Sequence, residues 1–320
     1  TSNQVNDSIS DESSICLLAG TYTSGTSEGI YVYQFDTVSG NSKYLSMAKV
    51  DNPSYLAISK DERFVYAVTE NDDNTAAANA LAFDKQEGKL TLLNTQPTDG
   101  AAPCYIEIDE KGKHVVTANY SGGSISVFEV NKEGMLEPAT QVITFQGKGI
   151  DPDRQRQPHL HCVRYSPDGK YLFADDLGTD KIHRFEVNDN DDDYLKDGNP
   201  AYIKVKDGSG PRHLEFHPNG RYAYLINELS GAVIAFNYKE GNLTEFQSIQ
   251  SDTLNAKGSC DIHISPGGNY LYSSNRLKGD GIAIFSINQA DGRLVKVGYL
   301  RKQVFIHAIL LSPPMGNICL

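Results

Sequence analysis

The sequence is short of three things, and each shortage excludes something. It has no run of about 18 apolar residues, which rules out a membrane-spanning helix. Its five cysteines, Cys16, Cys104, Cys162, Cys260 and Cys319, are odd in number, widely spaced and without a CxxC pair. That argues against a disulfide framework and against a zinc site built on thiolates. Basic residues are in deficit, with 29 Lys and Arg against 41 Asp and Glu, for a formal net charge of -12. Such a surface repels a polyanion at long range, so nucleic acid is not an expected partner. An anionic small molecule would have to be drawn in by a local cluster of arginines.

Long 3.6-residue apolar periods are almost absent too. Short alternating runs instead recur between Gly, Asp and Asn turns, which is the pattern of an all-β chain. Aligned on their turns, five stretches form a repeat: "PSYLAISKDERFVYAVTE", "PCYIEIDEKGKHVVTANY", "LHCVRYSPDGKYLFADDL", "PRHLEFHPNGRYAYLINE" and "SCDIHISPGGNYLYSSNR". They start at 53, 103, 160, 211 and 259, so the spacing runs from 48 to 57 residues. One position holds Leu56, Ile106, Val163, Leu214 and Ile262, and another, two residues on, holds Ile58, Ile108, Tyr165, Phe216 and Ile264. Residues two apart share one face of a strand, so these are core positions. Each hairpin is followed by a third run such as "SISVFEV" and a fourth such as "LTEFQSI". Four strands per roughly 50 residues predicts a β-propeller of four-stranded blades, with a solenoid of hairpins as the rival.

The ends are expected to differ from the repeat. Residues 1–15 form a polar Ser/Asn/Asp stretch expected to be a disordered tether, and 16–320 a single propeller domain. A start at Thr1 fits either a removed leader or an artificial start. Cys16 to Val50 carries the second, third and fourth strands of a blade without a first. "HAILLSPPMGNICL" begins like another first strand, with Ile309 and Leu311 in core positions, and then stops.

In an antiparallel pair the start of the first strand and the end of the second lie at the same rim. The first-strand slot holds Ser54, Cys104, His161, Arg212 and Cys260; the second-strand slot holds Glu70, Tyr120, Leu177, Glu228 and Arg276. With the first strand innermost, these residues line the mouth of a central channel. His161, Arg212, Glu228 and Arg276 then converge from three successive blades. Guanidiniums can hold a carboxylate or phosphate and polarise a carbonyl, while His or Glu can move a proton. The competing interpretation is a set of ion pairs that ties blades together. The long connection "FQGKGIDPDRQRQPHLH" adds Arg154, Arg156 and His159 near the same rim, or forms a solvent-exposed flap. His159 and His161 have strand spacing, but no third ligand is evident, so no metal site is expected. "DNDDD", Asp189 to Asp193, lacks the Gly and Glu of a calcium loop and reads as a hairpin tip. Cys104 shares the rim but has no basic partner in sequence.

"RQRQPHLHCVRYSPDGKYLFADDLGTDKIHRF", "GPRHLEFHPNGRYAYLINELS" and "DIHISPGGNYLYSSNR" resemble the bacterial 6-phosphogluconolactonases of the seven-bladed propeller type, relatives of the fungal carboxymuconate lactonising enzyme. The match covers roughly Leu17 to Leu300. The resemblance implies metal-independent hydrolysis of 6-phospho-D-glucono-1,5-lactone to 6-phosphogluconate in the pentose phosphate pathway, with no cofactor. It implies that His161, Arg212, Glu228 and Arg276 form the catalytic set. His159, Arg154 and Glu70 are expected to bind substrate, a small anionic sugar lactone. A monomer or weak oligomer is expected. Cytoplasmic location is the family default, although the polar start also fits an exported or lipid-anchored chain. The family continues with an Arg-bearing first strand and about another blade and a half, where this chain has His307. A truncation or frame change near Gln303 is therefore expected, with strands for about six blades. Two other functions use the same fold: a muconate-type lactonising isomerase and a nonenzymatic binding propeller.

Overall fold

The computed structural model describes residues 14–189 and 193–301. Most of the expected tether, the middle of the Asp-rich run, and the segment holding Gln303, His307, Ile309 and Leu311 lie outside the described residues. The first sheet has three strands, β1 (Ser14–Ala19), β2 (Gly29–Asp36) and β3 (Ser42–Lys49). Strand β1 opens at Ser14, so Ser14 and Ile15, assigned by sequence to the tether, already pair with β2.

Five four-stranded sheets follow in chain order. The second is β4 (Leu56–Ile58), β5 (Phe64–Thr69), β6 (Ala77–Asp84) and β7 (Lys89–Pro97). The third is β8 (Pro103–Ile108), β9 (His114–Asn119), β10 (Ser124–Val130) and β11 (Leu136–Thr144). The fourth is β12 (Leu160–Tyr165), β13 (Tyr171–Asp176), β14 (Lys181–Val187) and β15 (Leu195–Lys204). The fifth is β16 (Pro211–Phe216), β17 (Tyr222–Asn227), β18 (Ala232–Lys239) and β19 (Asn242–Gln250). The sixth is β20 (Ser259–Ile264), β21 (Tyr270–Asn275), β22 (Gly281–Ile287) and β23 (Leu294–Leu300), with a short 3-10 turn, Leu277–Gly279, between β21 and β22.

Every sheet is an antiparallel meander, and the first strands β4, β8, β12, β16 and β20 lie one against the next. They are therefore innermost, as the propeller architecture requires. The middle strands of the second to fifth sheets are buried on both faces because each of these sheets packs between two others. Along β17 the aromatic and aliphatic side chains of Tyr222 to Ile226 are all buried. Leu56 and Val65 pack against Leu18, Ile30 and Val32 of the first sheet. Phe173 and Ile182 meet Leu214 and Phe236 of the fifth, and Tyr224 and Ile226 meet Ile262 and Leu271 of the sixth. Each such side chain contributes about 1.5–3 kcal/mol by leaving water, and together they fix the ring that places the rim residues.

Candidate active site at the channel mouth

Strict alternation would send Arg212 to the same face as Leu214, which is core. The structure avoids this with a register shift at the start of four first strands: between Pro103 and Tyr105, Leu160 and Cys162, Pro211 and His213, and Ser259 and Ile262. A bulge of this kind re-aims one side chain without disturbing the rest of the ladder. As a result consecutive residues, Arg212 with His213 and Cys260 with Asp261, both line one cavity of about 260 Å³. Ser54, Glu70, Cys104, Tyr120, Arg154, His161, Glu228 and Arg276 also line it. Of the ten slot residues only Leu177 is absent from the lining.

The turn before Arg212 explains its placement. Gly210 has a φ of 66°, and a Cβ there would stand 2.6 Å from the Leu229 side chain, so only glycine fits. Its N–H donates to Asp180 Oδ1 at 2.8 Å, and its carbonyl accepts the Glu228 N–H at 2.8 Å. One glycine thus registers the cation and the anion of the rim together.

Glu228 is the hub. Its Oε2 lies 2.9 Å from Arg212 Nε and 3.4 Å from Arg276 Nη2, and its Oε1 lies 2.6 Å from Arg154 Nη2. Burial alone would raise its carboxyl, but Arg212, Arg276 and Arg154 overcome that and hold it below the usual range, so it stays ionised. His161 Nε2 is 3.9 Å from the same Oε2. Burial first, then the charges of Arg212, His213 and Arg276, push this imidazole well below its ordinary pKa. His161 is therefore neutral at pH 7 and able to accept a proton. Its Nδ1 is 3.5 Å from Cys104 Sγ, a contact that sequence spacing does not reveal. Burial holds that thiol far above its usual pKa, so it is no thiolate nucleophile.

Arg154 reaches the cavity because its loop is folded, not because the loop is a free flap. Asp151 Oδ1 accepts the N–H groups of Asp153 and Arg154, and the buried Gln155 side chain donates to Leu177 O and Asp180 Oδ1. Arg156 turns away to Pro152 O and Asp153 in solvent. His159 does not line the cavity. Its ring stacks on Tyr120 with centroids 4.3 Å apart and its Nδ1 lies 3.0 Å from Tyr120 O, so it supports a wall residue from behind.

On another side, Glu70 Oε2 accepts the Tyr22 hydroxyl at 2.8 Å and the Ser54 hydroxyl. Tyr55 and His213 also line the cavity, and the Tyr55 ring stacks on Tyr105, with both rings meeting His213 edge-on.

With this geometry established, comparison with known proteins is informative. A family model described as lactonase, seven-bladed β-propeller, matches residues 16–303. The chain belongs to that lactonase family. A relative from Formosa agariphila named 6-phosphogluconolactonase is 41% identical over 276 residues, which is 85% of this chain and 78% of its own. A solved structure from Bacteroides fragilis, provisionally named 6-phosphogluconolactonase, is 54% identical with a TM-score of 0.88, over 94% of this chain and 84% of its own. A Pseudomonas aeruginosa structure described as a periplasmic gluconolactonase is 35% identical with a TM-score of 0.86, over 91% and 84%.

In this lactonase, six sheets lie within the described residues, where the family is named for seven blades. Sequence reasoning missed Tyr22, His213 and Asp261 in the lining. Tyr22 lies in the connection between β1 and β2, and His213 and Asp261 lie at bulges, so alternation gave no signal for them. Among the described residues, His, Cys, Asp and Glu atoms at metal-binding separation occur at Asp109, His114 and Asp189. That group lies at the hairpin-turn end of the third sheet, opposite the rim, and includes neither His159 nor His161.

Proposed function

We propose that this chain hydrolyses a phosphorylated sugar lactone, 6-phospho-D-glucono-1,5-lactone, to 6-phosphogluconate, a step of the pentose phosphate pathway, without a metal. The observation that carries this reading is the meeting of three guanidiniums on a single carboxylate in a lactonase cavity. One carboxylate cannot neutralise three cations, and the surplus positive charge suits an anionic substrate. The surrounding chain is strongly acidic, so this pocket supplies the local attraction that the composition demands.

Arg154 and Arg276, the more accessible pair, hold the phosphate, and the more deeply buried Arg212 faces the carbonyl whose oxygen becomes negative in the tetrahedral intermediate. Neutral His161 takes the proton of the attacking water. Ionised Glu228, 3.9 Å away, stabilises the imidazolium that results. Both Glu228 oxygens are occupied by guanidiniums, which leaves His161 the better base of the two. The name of the Pseudomonas relative favours a second reading, an unphosphorylated gluconolactone, in which the same arginines meet hydroxyls and the carbonyl alone.

Decay of 6-phosphogluconolactone, followed against an enzyme-free blank with and without a chelator, tests the assignment. Acceleration that survives the chelator is expected. No acceleration by folded protein, or acceleration of gluconolactone alone, overturns the phosphorylated substrate; loss of activity with chelator overturns metal independence.

A further inference from the structure

Glu70 and Glu228 hold the same position on two sheets, each directly after the second strand and opposite the first-strand slot occupied by Ser54 and Arg212. The second and fifth sheets are three apart in the ring, so the two carboxylates enter the cavity from separate walls. Their partners differ in kind. Glu228 is bonded by guanidiniums at both oxygens, and a guanidinium can only donate. Protonating Glu228 would strand those donors. Glu70 is bonded by two hydroxyls, both on Oε2, while its Oε1 has no hydrogen bond among the described residues. A hydroxyl can turn and accept, so Glu70 can gain or lose a proton with its partners still satisfied, and its proton belongs on Oε1.

We infer that Glu70 is the proton-transfer carboxylate of this site, donating from Oε1 to the ring oxygen of the bound lactone as the C1–O bond breaks. The inference rests on the lactone reading above and adds the acid that reading lacks. Water forms the new C1–O bond and yields one proton to His161. The C1–ring-oxygen bond then breaks, and its electron pair takes the proton from Glu70. The product leaves as a carboxylic acid and ionises, and the His161 proton returns through solvent to Glu70. Lactone and water are consumed and no other reactant is needed.

The charges facing Glu70 agree with this role. Burial raises its carboxyl above the usual range, opposed by the Ser54 and Tyr22 hydroxyls and, at longer range, by Arg212. Tyr22 and Cys104, the other titratable groups beside it, are held above their ordinary values and stay neutral. Two carboxyl groups pushed in opposite directions within one cavity form the usual acid and anion division of labour.

The test is the pH dependence of 6-phosphogluconolactone turnover, corrected for the blank. Glu70→Gln should lower kcat by about 10²-fold with KM within about threefold, and should abolish the alkaline fall of kcat that reports loss of the Glu70 proton. Tyr22→Phe removes a donor to the ionised form and should move that fall to higher pH. A Glu70→Gln enzyme that keeps kcat within threefold, or changes KM alone, overturns the inference. Should that variant fail to fold, an unmoved alkaline limb in Tyr22→Phe overturns it instead. If the wild-type enzyme does not accelerate this lactone, the substrate assignment has failed and carboxyl 13C titration of the substrate-free protein decides Glu70. A midpoint above that of Glu228 supports the division of roles, and coincident midpoints refute it.

Discussion

The channel carries two layers of charge, and they are built in opposite proportions. At the rim, three guanidiniums share the one carboxylate of Glu228. Three residues further along the same first strands, one guanidinium serves two carboxylates: Arg164 lies 3.2 Å from Glu107 and 2.8 Å from Glu215. Beside them Asp261 sits 2.8 Å from both His213 and His263. The tyrosine pair and His213 lie between the layers. Both layers look like ion-pair networks in sequence, yet the rim keeps surplus positive charge facing a cavity, while the deep layer spends its cation on its own anions. Surplus positive charge next to an open volume is a binding device; a cation enclosed between its own anions is a structural one. The competing interpretation of the rim charges as blade ties therefore describes the deep layer better than the rim.

The sharpest way to break this contrast is to remove one cation from each layer. Arg212→Ala should cost about 10³-fold in the blank-corrected kcat/KM, in the range found when a single oxyanion donor is lost. His161→Ala should cost about 10²-fold, because it removes proton transfer but leaves the anion held. Steady-state kinetics on protein with an unchanged circular dichroism spectrum checks both. Equal and small losses would mean that the rim, too, is structural.

Much of this architecture is legible in the sequence. The repeat gave the propeller because the pleat period and the turn residues are local properties, and the slots gave His161, Arg212, Glu228 and Arg276 because strand ends share a rim. What was not legible depends on departures from local regularity. The bulge that turns Arg212 out of the core also brings His213 and Asp261 to the wall, and no alternation pattern announces it. Arg154 and His159 lie on one loop and look equivalent in sequence. Only the Gln155 anchor and the Tyr120 stack decide that one faces the cavity and the other stands behind it. The Cys104 contact with His161 crosses two sheets and has no sequence signature.

The deep layer should answer differently to the same insult. Arg164→Met leaves Glu107 and Glu215 without their cation, and losing one partner of a buried pair is destabilising. Arg164 is 28% exposed at its side chain, so the expected cost is reduced to about 2 kcal/mol in denaturant unfolding, with kcat/KM within about twofold below the melting transition. A large loss of activity with unchanged stability would dissolve the distinction between the layers.

The smallest expected effect is also the most specific to the deep layer. Burial would lower the His263 imidazole, but the Asp261 carboxylate overrides it and holds the ring at about 9. A group whose pKa is raised by folding stabilises fully below its unfolded value near 6.5, and that contribution is lost as pH rises through the folded value. Glu107 acts in the same direction earlier: burial raises it to about 7 against the pull of Arg164, so its contribution fades from the ordinary carboxylate range up to about 7. Melting temperature should therefore fall between pH 6.5 and 9.5 in the wild-type protein. His263→Gln should flatten that fall while leaving the earlier one, from pH 4.5 to 7, in place. At the rim Glu228 and His161 are held below their ordinary values whereas Glu70 is raised, so an unflattened curve in His263→Gln would place the alkaline sensitivity on a group other than His263.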